Sequence, residues 1–415
     1  MVLDVHKADD SLVDPSLLPA VPVGLPKVLD LVVSGEATSR AELARRTGLA
    51  RSTVGQQVEH LVGHGILREI ESSESVRGRP PRVLTLSPRA GTIAVADIDT
   101  LASQVAIADL GGRVLAQETV VIPIEAGPQA VLEAVTEELL NLLERCGRDP
   151  DRVREVVVGL PAPVDPQRGC AVRPTGMPGW DGFPVAEWLR SRFHAPAVVD
   201  NDANLMAVGE AAQDQVDTPL LCIKIGAGIG VGIITADGEV HRGADGAAGD
   251  VGHIRAVGGG GDVLCTCGNI GCVGALASHR AVLSSLGIPE STEEDPLFGA
   301  HTLAERVANN DPPAVRALRQ AATEIGEVVA MLVYMFNPRT LILGGPLSEL
   351  RDDMLSGVRA VVYQRALPLA TRKLTITTTQ LGENSSIHGG VALALRDVFS
   401  ERGIARMLVD DAGAP

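Results

Sequence analysis

Aromatic residues are scarce in this chain, at 2% of its 415 residues, so its hydrophobic cores must be built from Val, Leu, Ile and Ala. The overall hydrophobic content of 45% is nevertheless ordinary for a soluble protein and sufficient for sizeable cores. No apolar run approaches the roughly 18 residues of a membrane span. The stretch 1–24 also lacks the basic-then-apolar pattern of a signal peptide. We therefore expect a cytoplasmic protein with no membrane partner.

Cysteine is also scarce, with six in the chain, yet Cys265, Cys267 and Cys272 stand close together. In a reducing cytoplasm, clustered cysteines are typical of metal ligands rather than disulfides. With His253 they supply the four ligands of a closed tetrahedral zinc site, and the glycines of C-x-C-G-x-x-G-C let the backbone turn around the ion. Such a site predicts a structural zinc, since no position is left for water or substrate. The alternative is three small buried cysteines beside an unrelated histidine.

Positive charge is in short supply overall, and the net charge of −16 argues against a nucleic-acid binder. Its distribution changes that conclusion. Residues 1–89 carry 11 basic and 11 acidic residues, whereas the remainder carries 25 and 41. Within 40–89 the count is 9 basic against 5 acidic. A small basic segment is thus joined to a large acidic body, as expected if only one end meets a polyanion.

The basic segment predicts a winged helix-turn-helix over residues 21–88, after a disordered tail at 1–20. Pro26 begins a first helix, and a capping box at 39–42 begins a second. A third helix carries apolar residues at helical spacing, namely Val54, Val58, Leu61 and Val62. Two strands, Ile66–Ile70 and Val83–Leu86, then form the wing.

In this arrangement the third helix enters the major groove of DNA. Candidate contacts on it are Arg51, Ser52, Thr53, Gln56 and Gln57. The wing adds Arg77, Arg79 and Arg82 on a Pro/Gly-stiffened arm, which suits the negative potential of a narrow minor groove. The alternative is a helical protein-interaction module with a solvated basic loop.

From Thr92 the pattern becomes α/β, with a three-stranded meander followed by repeated helices and strands. This order is typical of the two-lobed actin-like ATPase architecture. We expect one lobe at 89–200 plus about 382–400, a second at 201–381, and a tail at 401–415. Ligands of such sheets bind at the carboxyl ends of strands. Asp97, Asn201, Asp202 and the glycine turn at 226–228 would lie there.

Several motifs together resemble the ROK family of repressors, open reading frames and sugar kinases. They are VDNDANLMAVGE (199–210), GDVGH (249–253), CTCGNIGC, the helix-turn-helix GLARSTVGQQVEHLVGHG and the wing VRGRPP. The resemblance covers nearly all of Pro26 to Phe399. Members with such an N-terminal domain are transcription regulators, mostly of sugar use, and members without it are usually hexose kinases. The resemblance implies zinc held by the same four ligands, a sugar between the lobes, and a homodimer or tetramer.

The resemblance assigns the kinase machinery residue by residue. Asp202 matches the catalytic aspartate, and Asn201 the usual sugar ligand. The first phosphate loop, usually Asp-Ile-Gly, here carries Asp97 and then Asp99 in place of the glycine. The second, usually Gly-Thr-Gly, is Gly226-Ala-Gly228, while the nucleoside turn Gly344-Gly345 is intact. We therefore expect ATP and Mg²⁺ binding to be weak or absent, although Asp97 and Asp99 coordinating Mg²⁺ or facing solvent is the alternative.

The sugar-binding positions also depart from the family pattern. Asp250 replaces a Glu with a side chain one methylene shorter, and Gly274 replaces a second Glu. Asn201, Asp202, Asp250 and His253 remain a plausible polar cluster for a sugar. Either the ligand is not an ordinary hexose, or it lacks a group at that point, or small-molecule control has been lost.

The sequence thus predicts a transcriptional repressor that reads a palindromic double-stranded operator and senses a sugar or sugar derivative. Two alternatives remain: a sugar kinase with a regulatory DNA-binding domain, and a scaffold that binds no ligand. The effector, the operator and the choice between dimer and tetramer stay open.

Overall fold

The chain is described by a computed structural model over residues 18–71, 82–258, 261–292, 294–350 and 352–410. Its helices are α1 Leu25–Val33, α2 Arg40–Thr47, α3 Arg51–Gly63, α4 Pro128–Arg145, α5 Val185–Phe193, α6 Asp202–Ala211, α7 Val273–Ala277, α8 His279–Ser285, α9 Phe298–Ala308, α10 Pro312–Phe336, α11 Pro346–Glu349, α12 Asp352–Arg365, α13 Pro368–Thr371, α14 Ser385–Val398 and α15 Glu401–Asp410. Its strands are β1 Leu67–Glu71, β2 Arg82–Leu86, β3 Thr92–Asp97, β4 Ala102–Asp109, β5 Val114–Val121, β6 Val153–Leu160, β7 Val164–Asp165, β8 Cys170–Ala171, β9 Ala197–Asn201, β10 Leu220–Ile225, β11 Ile229–Ile234, β12 Thr340–Gly344 and β13 Thr375–Thr378. Within these ranges, no helix is both long and apolar enough to cross a membrane.

Helices α1–α3 and the antiparallel β1–β2 hairpin form the predicted winged helix-turn-helix. The predicted capping box is present at the start of α2, where the Ser39 hydroxyl accepts a hydrogen bond from the backbone N–H of Glu42. The Glu42 carboxylate in turn accepts one from the N–H of Thr38 at 3.1 Å. These bonds satisfy N–H groups that a helix terminus leaves without partners.

The first sheet of the body has the order β5-β4-β3-β6-β9, with β3, β6 and β9 parallel and the predicted meander adding β4 and β5 antiparallel. Every residue of β6 is buried. Helices α4 and α5 cover one face of the sheet, and α14 covers the other. Burial on both faces explains the apolar run at 156–160 in β6, which is typical of a central parallel strand.

The second sheet has the order β11-β10-β12-β13, with β10, β12 and β13 parallel. Helices α10 and α12 cover one face, and α6 packs on the other. The contact with α6 is close because β11 carries glycine. A Cβ added at Gly232 would lie 2.1 Å from the carbonyl oxygen of Ala203. Helix α6 therefore lies between the two sheets, with its first residue directly after β9.

The prediction of a tail at 401–415 is wrong for most of that range, because Glu401–Asp410 forms helix α15. Ile404, Met407 and Leu408 are buried in the apolar cluster that also contains α14 and the core of the winged helix domain. An amphipathic segment with this burial gains more from packing than it loses in chain entropy. The predicted disordered tail lies largely outside the described residues, which begin at 18.

Candidate ligand cleft, metal cluster and DNA-binding helix

The carboxyl ends of four strands bring the predicted cleft residues to neighbouring edges of the two sheets. Asp97 ends β3, Asn201 ends β9, and Gly344 ends β12. The glycine turn 226–228 follows β10 and is closed by a hydrogen bond from the N–H of Gly226 to the carbonyl of Gly228 at 2.9 Å. This is the location in which open α/β sheets bind ligands.

Asp202, the predicted catalytic carboxylate, is buried and bound to a lysine. The ammonium of Lys224 donates a hydrogen bond to Oδ2 of Asp202 at 2.6 Å and one to Oδ2 of Asp99 at 3.3 Å, and it lies 3.9 Å from Oδ2 of Asp97. The Lys224 side chain is 12% exposed. A single ammonium from the second sheet thus faces three carboxylates that lie at, or just beyond, the strand ends of the first sheet.

Burial and charge perturb all four groups. Burial raises the pKa of Asp97 to about 7, although Lys224 opposes the shift. Burial also raises the pKa of Asp202 against the attraction of Lys224. For Asp99 burial acts in the same direction, but Lys224 and the Thr100 backbone N–H outweigh it and the pKa is lowered. Burial alone would lower the pKa of Lys224, yet the three carboxylates raise it well above its usual value. The ammonium therefore stays charged.

Asn201 uses its amide within the protein. Its Oδ1 accepts a hydrogen bond from the N–H of Ala203 at 3.0 Å, which makes it the N-cap of α6. Its Nδ2 donates to the carbonyl of Ala162 at 3.0 Å. These bonds hold the strand end and the helix start in one orientation, so Asn201 positions Asp202 in the cleft.

The predicted sugar-side residues lie on a separate turn. Asp250 is exposed and directly precedes the short 3₁₀ turn Val251–His253. A Cβ added at Gly274 would lie 3.0 Å from the carbonyl oxygen of Gly252. Gly274 thus contacts the turn that begins one residue after Asp250. His253 turns its Nδ1 away to the cysteine cluster, 3.5 Å from Sγ of Cys265.

The nucleotide-side glycines are tightly packed. A Cβ at Gly344 would lie 1.6 Å from the terminal methyl of Met206, and one at Gly345 would lie 2.7 Å from the carbonyl of Ile225. Gly345 also has a φ of 84°, a conformation that L side chains rarely adopt. Packing within the body thus accounts for both glycines without a nucleotide.

His253, Cys265, Cys267 and Cys272 converge as predicted, with one ligand atom from each lying within 4.8 Å of the others. Sγ of Cys267 is 3.7 Å from Sγ of Cys272. The backbone N–H of Asn269 is the main cause that lowers the pKa of Cys267 to about 7, whereas burial raises the pKa of Cys272 to about 12. Four soft ligands at these separations can hold one metal ion, which would displace the remaining thiol protons.

The residues of α3 predicted to contact DNA differ in their exposure. Arg51, Ser52 and Gln56 are exposed near the start of the helix, and Thr53 is half-buried. The prediction that Gln57 contacts DNA is wrong. This residue is 5% exposed, and its side-chain amide donates a hydrogen bond to the carbonyl of Val23 at 2.8 Å. Its place between the buried Val54 and Leu61 puts it on the apolar face, so it stabilises the domain and does not face DNA.

The wing is described only in part. Arg82 is exposed in β2 and pairs with Glu69 at 3.0 Å. Arg77 and Arg79 lie outside the described residues.

Sequence reasoning missed Lys224, although a signal for it exists. Strand β10 reads LLCIKI, in which Lys224 is the one polar residue among five apolar ones. By the two-residue period of a strand it shares the α6-facing side with Leu220 and Cys222. The chain is also poor in this residue type, with lysines at Lys7, Lys27, Lys224 and Lys373.

Two buried carboxylates were also overlooked. Glu210, with no exposed surface, accepts hydrogen bonds from the Ser385 hydroxyl at 2.7 Å and from the backbone N–H of Gln380 at 3.1 Å and Leu381 at 3.2 Å. Asp200 binds Arg242. Both acids lie within the VDNDANLMAVGE motif, but their partners are distant in sequence.

Together these features define a class of protein: a winged helix-turn-helix joined to a two-lobed actin-like body with a strand-end cleft and a Cys₃His cluster. The ROK family model matches residues 96–397. The chain belongs to the ROK family.

Similar proteins include both regulators and kinases. The chain is 26% identical over 384 residues to the xylose repressor of Caldicellulosiruptor bescii, covering 90% of this chain and 95% of that protein. It is 25% identical over 374 residues to the DNA-binding transcriptional dual regulator NagC of Escherichia coli K12, covering 87% and 89%. Both regulators match a larger share of this chain than a glucokinase of the same family does, since the glucokinase covers 73% of it.

Two solved structures, a regulator and a kinase, are similar to this fold. A ROK family transcriptional regulator, described as a homolog of the Escherichia coli MLC protein, superposes with a TM-score of 0.73 over 94% of this chain and 98% of its own, at 23% identity. A ROK glucokinase from Streptomyces griseus, in complex with glucose and AMPPNP, superposes with a TM-score of 0.61 over 73% and 99%, at 28% identity. The glucokinase therefore matches about as much of the chain as the body alone provides.

Proposed function

We propose that this protein is a DNA-binding transcriptional repressor whose body binds a sugar or sugar derivative. The observation that carries the proposal is the joined architecture: α3 exposes polar residues at its N-terminal end, and the winged helix core continues into the apolar cluster of the body. The similarity to named repressors extends over both parts. A change in the body on ligand binding would then alter the position of the DNA-binding helices.

The proposed DNA-bound form is a dimer or a dimer of dimers. Two-fold symmetric winged helix proteins read palindromic sites whose halves lie about 10–10.5 base pairs apart or a multiple of that. The basic residues of 40–89 would supply the electrostatic attraction, so binding should weaken as salt rises.

Selection from a random double-stranded DNA pool tests this proposal directly. We expect enrichment of a palindromic site and salt-sensitive binding to it by fluorescence anisotropy. Gln56→Ala should weaken binding to that site without lowering the melting temperature. Gln57→Ala should lower the melting temperature of the winged helix domain instead, because it removes the bond to Val23. A pool that shows no enrichment at low salt would contradict the repressor proposal.

The proposed effector is a sugar bound in the cleft between the sheets. Supporting this is the position of Asn201 and Asp202 at the carboxyl end of β9, where open sheets bind ligands. A thermal-shift screen of pentoses, hexoses, amino sugars and phosphosugars tests it, followed by anisotropy of the DNA complex with each hit. A sugar that stabilises the protein and releases DNA is expected. If none of these compounds changes the melting temperature, a scaffold that binds no ligand is favoured.

The proposed metal is Zn²⁺ in a structural role. His253, Cys265, Cys267 and Cys272 form a complete tetrahedral ligand set for this ion, with no open position for chemistry. The loop they hold connects the turn after Asp250 to α7, so the ion would fix the course of that loop.

A sugar kinase is the second candidate, favoured by the buried Asp202 at a strand end and by the similarity to the glucokinase. A coupled ADP-release assay over a panel of sugars decides between them. Turnover abolished by Asp202→Asn would favour the kinase, and no turnover favours the regulator.

A further inference from the structure

Lys224 joins the two sheets through a single buried ammonium. It projects from β10 of the second sheet and faces three carboxylates. Asp97 ends β3, Asp99 lies two residues further along the chain, and Asp202 is the first residue of α6. Asp97 and Asp202 have side chains that are 10% and 8% exposed. These two carboxylates therefore depend on a nearby cation rather than on water for stabilisation.

Carboxylates at the ends of parallel strands are the groups that hold divalent cations in phosphoryl-transfer enzymes. Mg²⁺ would need the carboxylate oxygens at about 2.0–2.1 Å. The Lys224 nitrogen already lies 2.6 Å from Oδ2 of Asp202. A divalent ion at that oxygen would lie close to the ammonium, and the repulsion between the two cations in a buried site would weaken its binding.

We propose that Lys224 is a built-in replacement for a divalent cation in this cleft, so that the body adopts its ligand-binding form without metal or nucleotide. The tethered ammonium reaches from the second sheet to carboxylates at the strand ends of the first, which is a charge-neutralising role that a divalent ion could otherwise fill. The proposal gives a physical reason for the expected weak ATP binding beyond the replaced glycine of the phosphate loop, since the Asp99 carboxylate is itself paired with Lys224.

A second observation supports the exchange of ammonium for metal. Oδ1 of Asp97 is buried and accepts no hydrogen bond of ordinary length among the described residues, and the Ser386 hydroxyl is a polar group that faces the same carboxyl group. The cluster therefore retains an unused acceptor and an excess of carboxylates over cations. Removal of the lysine charge should leave three carboxylates that require another cation, and a divalent ion is the one best suited to them.

The test uses Mn²⁺, a spectroscopic substitute for Mg²⁺, with zinc-saturated full-length protein. Free Mn²⁺ is measured by electron paramagnetic resonance in the wild type, in Lys224→Met, and in Lys373→Met as the matched control, since Lys373 is exposed. We expect Lys224→Met to gain one site per chain, at least about tenfold tighter than the weak background of the wild type and the control. Lys224→Met combined with Asp202→Asn should lose that site.

Two results would overturn the proposal: equal Mn²⁺ affinity in the wild type and Lys224→Met, or no new site in a folded Lys224→Met protein. If Lys224→Met does not fold, the wild type and Asp202→Asn are compared instead. Tight Mn²⁺ binding by the wild type that Asp202→Asn abolishes contradicts the proposal, and identical weak binding by both supports it.

The consequence for effector binding rests on the proposed regulator function, but the metal measurement does not. The melting-temperature shift caused by a sugar should be unchanged by added Mg²⁺ and ATP in the wild type. Failure to bind DNA would contradict the repressor and leave the Mn²⁺ result intact. A sugar shift that requires Mg²⁺ and ATP would contradict the role of Lys224.

Discussion

Arg242 binds Asp200 with its Nη2 2.6 Å and its Nε 2.9 Å from Oδ2. The other oxygen of Asp200 accepts hydrogen bonds from the backbone N–H of Asn201 and from Nδ2 of Asn204, both at 2.8 Å. The Arg242 side chain is 14% exposed and that of Asp200 is 4% exposed. This ion pair connects the loop after β11, which leads to the metal cluster, with the strand end that carries the cleft residues.

Arg242→Ala should therefore destabilise the body strongly. It leaves the buried Asp200 carboxylate without its counter-charge, a change that costs about 3 kcal/mol or more in buried pairs. The midpoint of urea unfolding, followed by circular dichroism, measures the loss. Arg396→Ala is the matched control, because Arg396 and Glu239 are 48% and 65% exposed and 3.5 Å apart. It should cost less than about 0.5 kcal/mol, and equal losses in both variants would contradict this prediction.

Asp97→Asn should change how stability depends on pH. The pKa of Asp97 is raised to about 7 in the folded protein, so the folded state binds this proton more tightly than the unfolded state does. The resulting stability is complete below the unfolded pKa of about 4 and is lost as the pH rises through 7. Asparagine carries no such proton. The melting temperature of Asp97→Asn minus that of the wild type should therefore increase from pH 5 to pH 8.

The control for that experiment is Asp245→Asn, which removes an exposed carboxylate. Its melting-temperature difference from the wild type should stay flat over the same range. Titrating groups that do not interact with the substituted residue, including those of the metal cluster, cancel in each difference. A flat or falling difference for Asp97→Asn would show that this carboxyl group titrates normally.

Cys265→Ser should remove the metal ion. A hydroxyl is a poor ligand for zinc compared with a thiolate, and three ligands do not complete a closed site. Mass spectrometry of metals should find about one zinc per wild-type chain and much less in the variant. Cys146→Ser is the control, since Cys146 caps α4 outside the cluster. Retention of stoichiometric zinc in Cys265→Ser would mean that the ligand set is wrong.

Glu210→Ala should loosen the junction between α6, the loop after β13 and the start of α14. Buried N–H and hydroxyl groups that lose a charged acceptor cost about 1–3 kcal/mol each. We expect faster hydrogen exchange over residues 379–386 and a lower melting temperature. Glu210→Gln keeps one carbonyl acceptor and should fall between the two proteins. Glu133→Ala, at an exposed helix position, should leave both quantities unchanged. Unaltered exchange in Glu210→Ala would contradict the assigned role.

Local patterns predicted most elements because each depends on a short stretch. The predicted wing strands, Ile66–Ile70 and Val83–Leu86, agree with β1 and β2 to within one residue at each end, and the capping box of α2 is confirmed. Errors arise where burial decides. Gln57 looked available to DNA by its chemistry, but its helical position between Val54 and Leu61 buries it. The tail at 401–410 lacked long apolar runs, yet its apolar positions meet a surface supplied by α14 and the winged helix domain.

By itself, the amino-acid sequence determined the winged helix, the alternation of strands and helices, and the Cys₃His ligand set, since each rests on periodicity or on spacing within one segment. Only the tertiary structure decided which charges meet. Lys224 is 125 residues from Asp99 and 22 from Asp202 in the chain, and no local pattern relates them. They meet because parallel strands of two sheets end at a common cleft and α6 is packed between them. Burial there makes the ion cluster strong, whereas the same residues in water would interact only weakly.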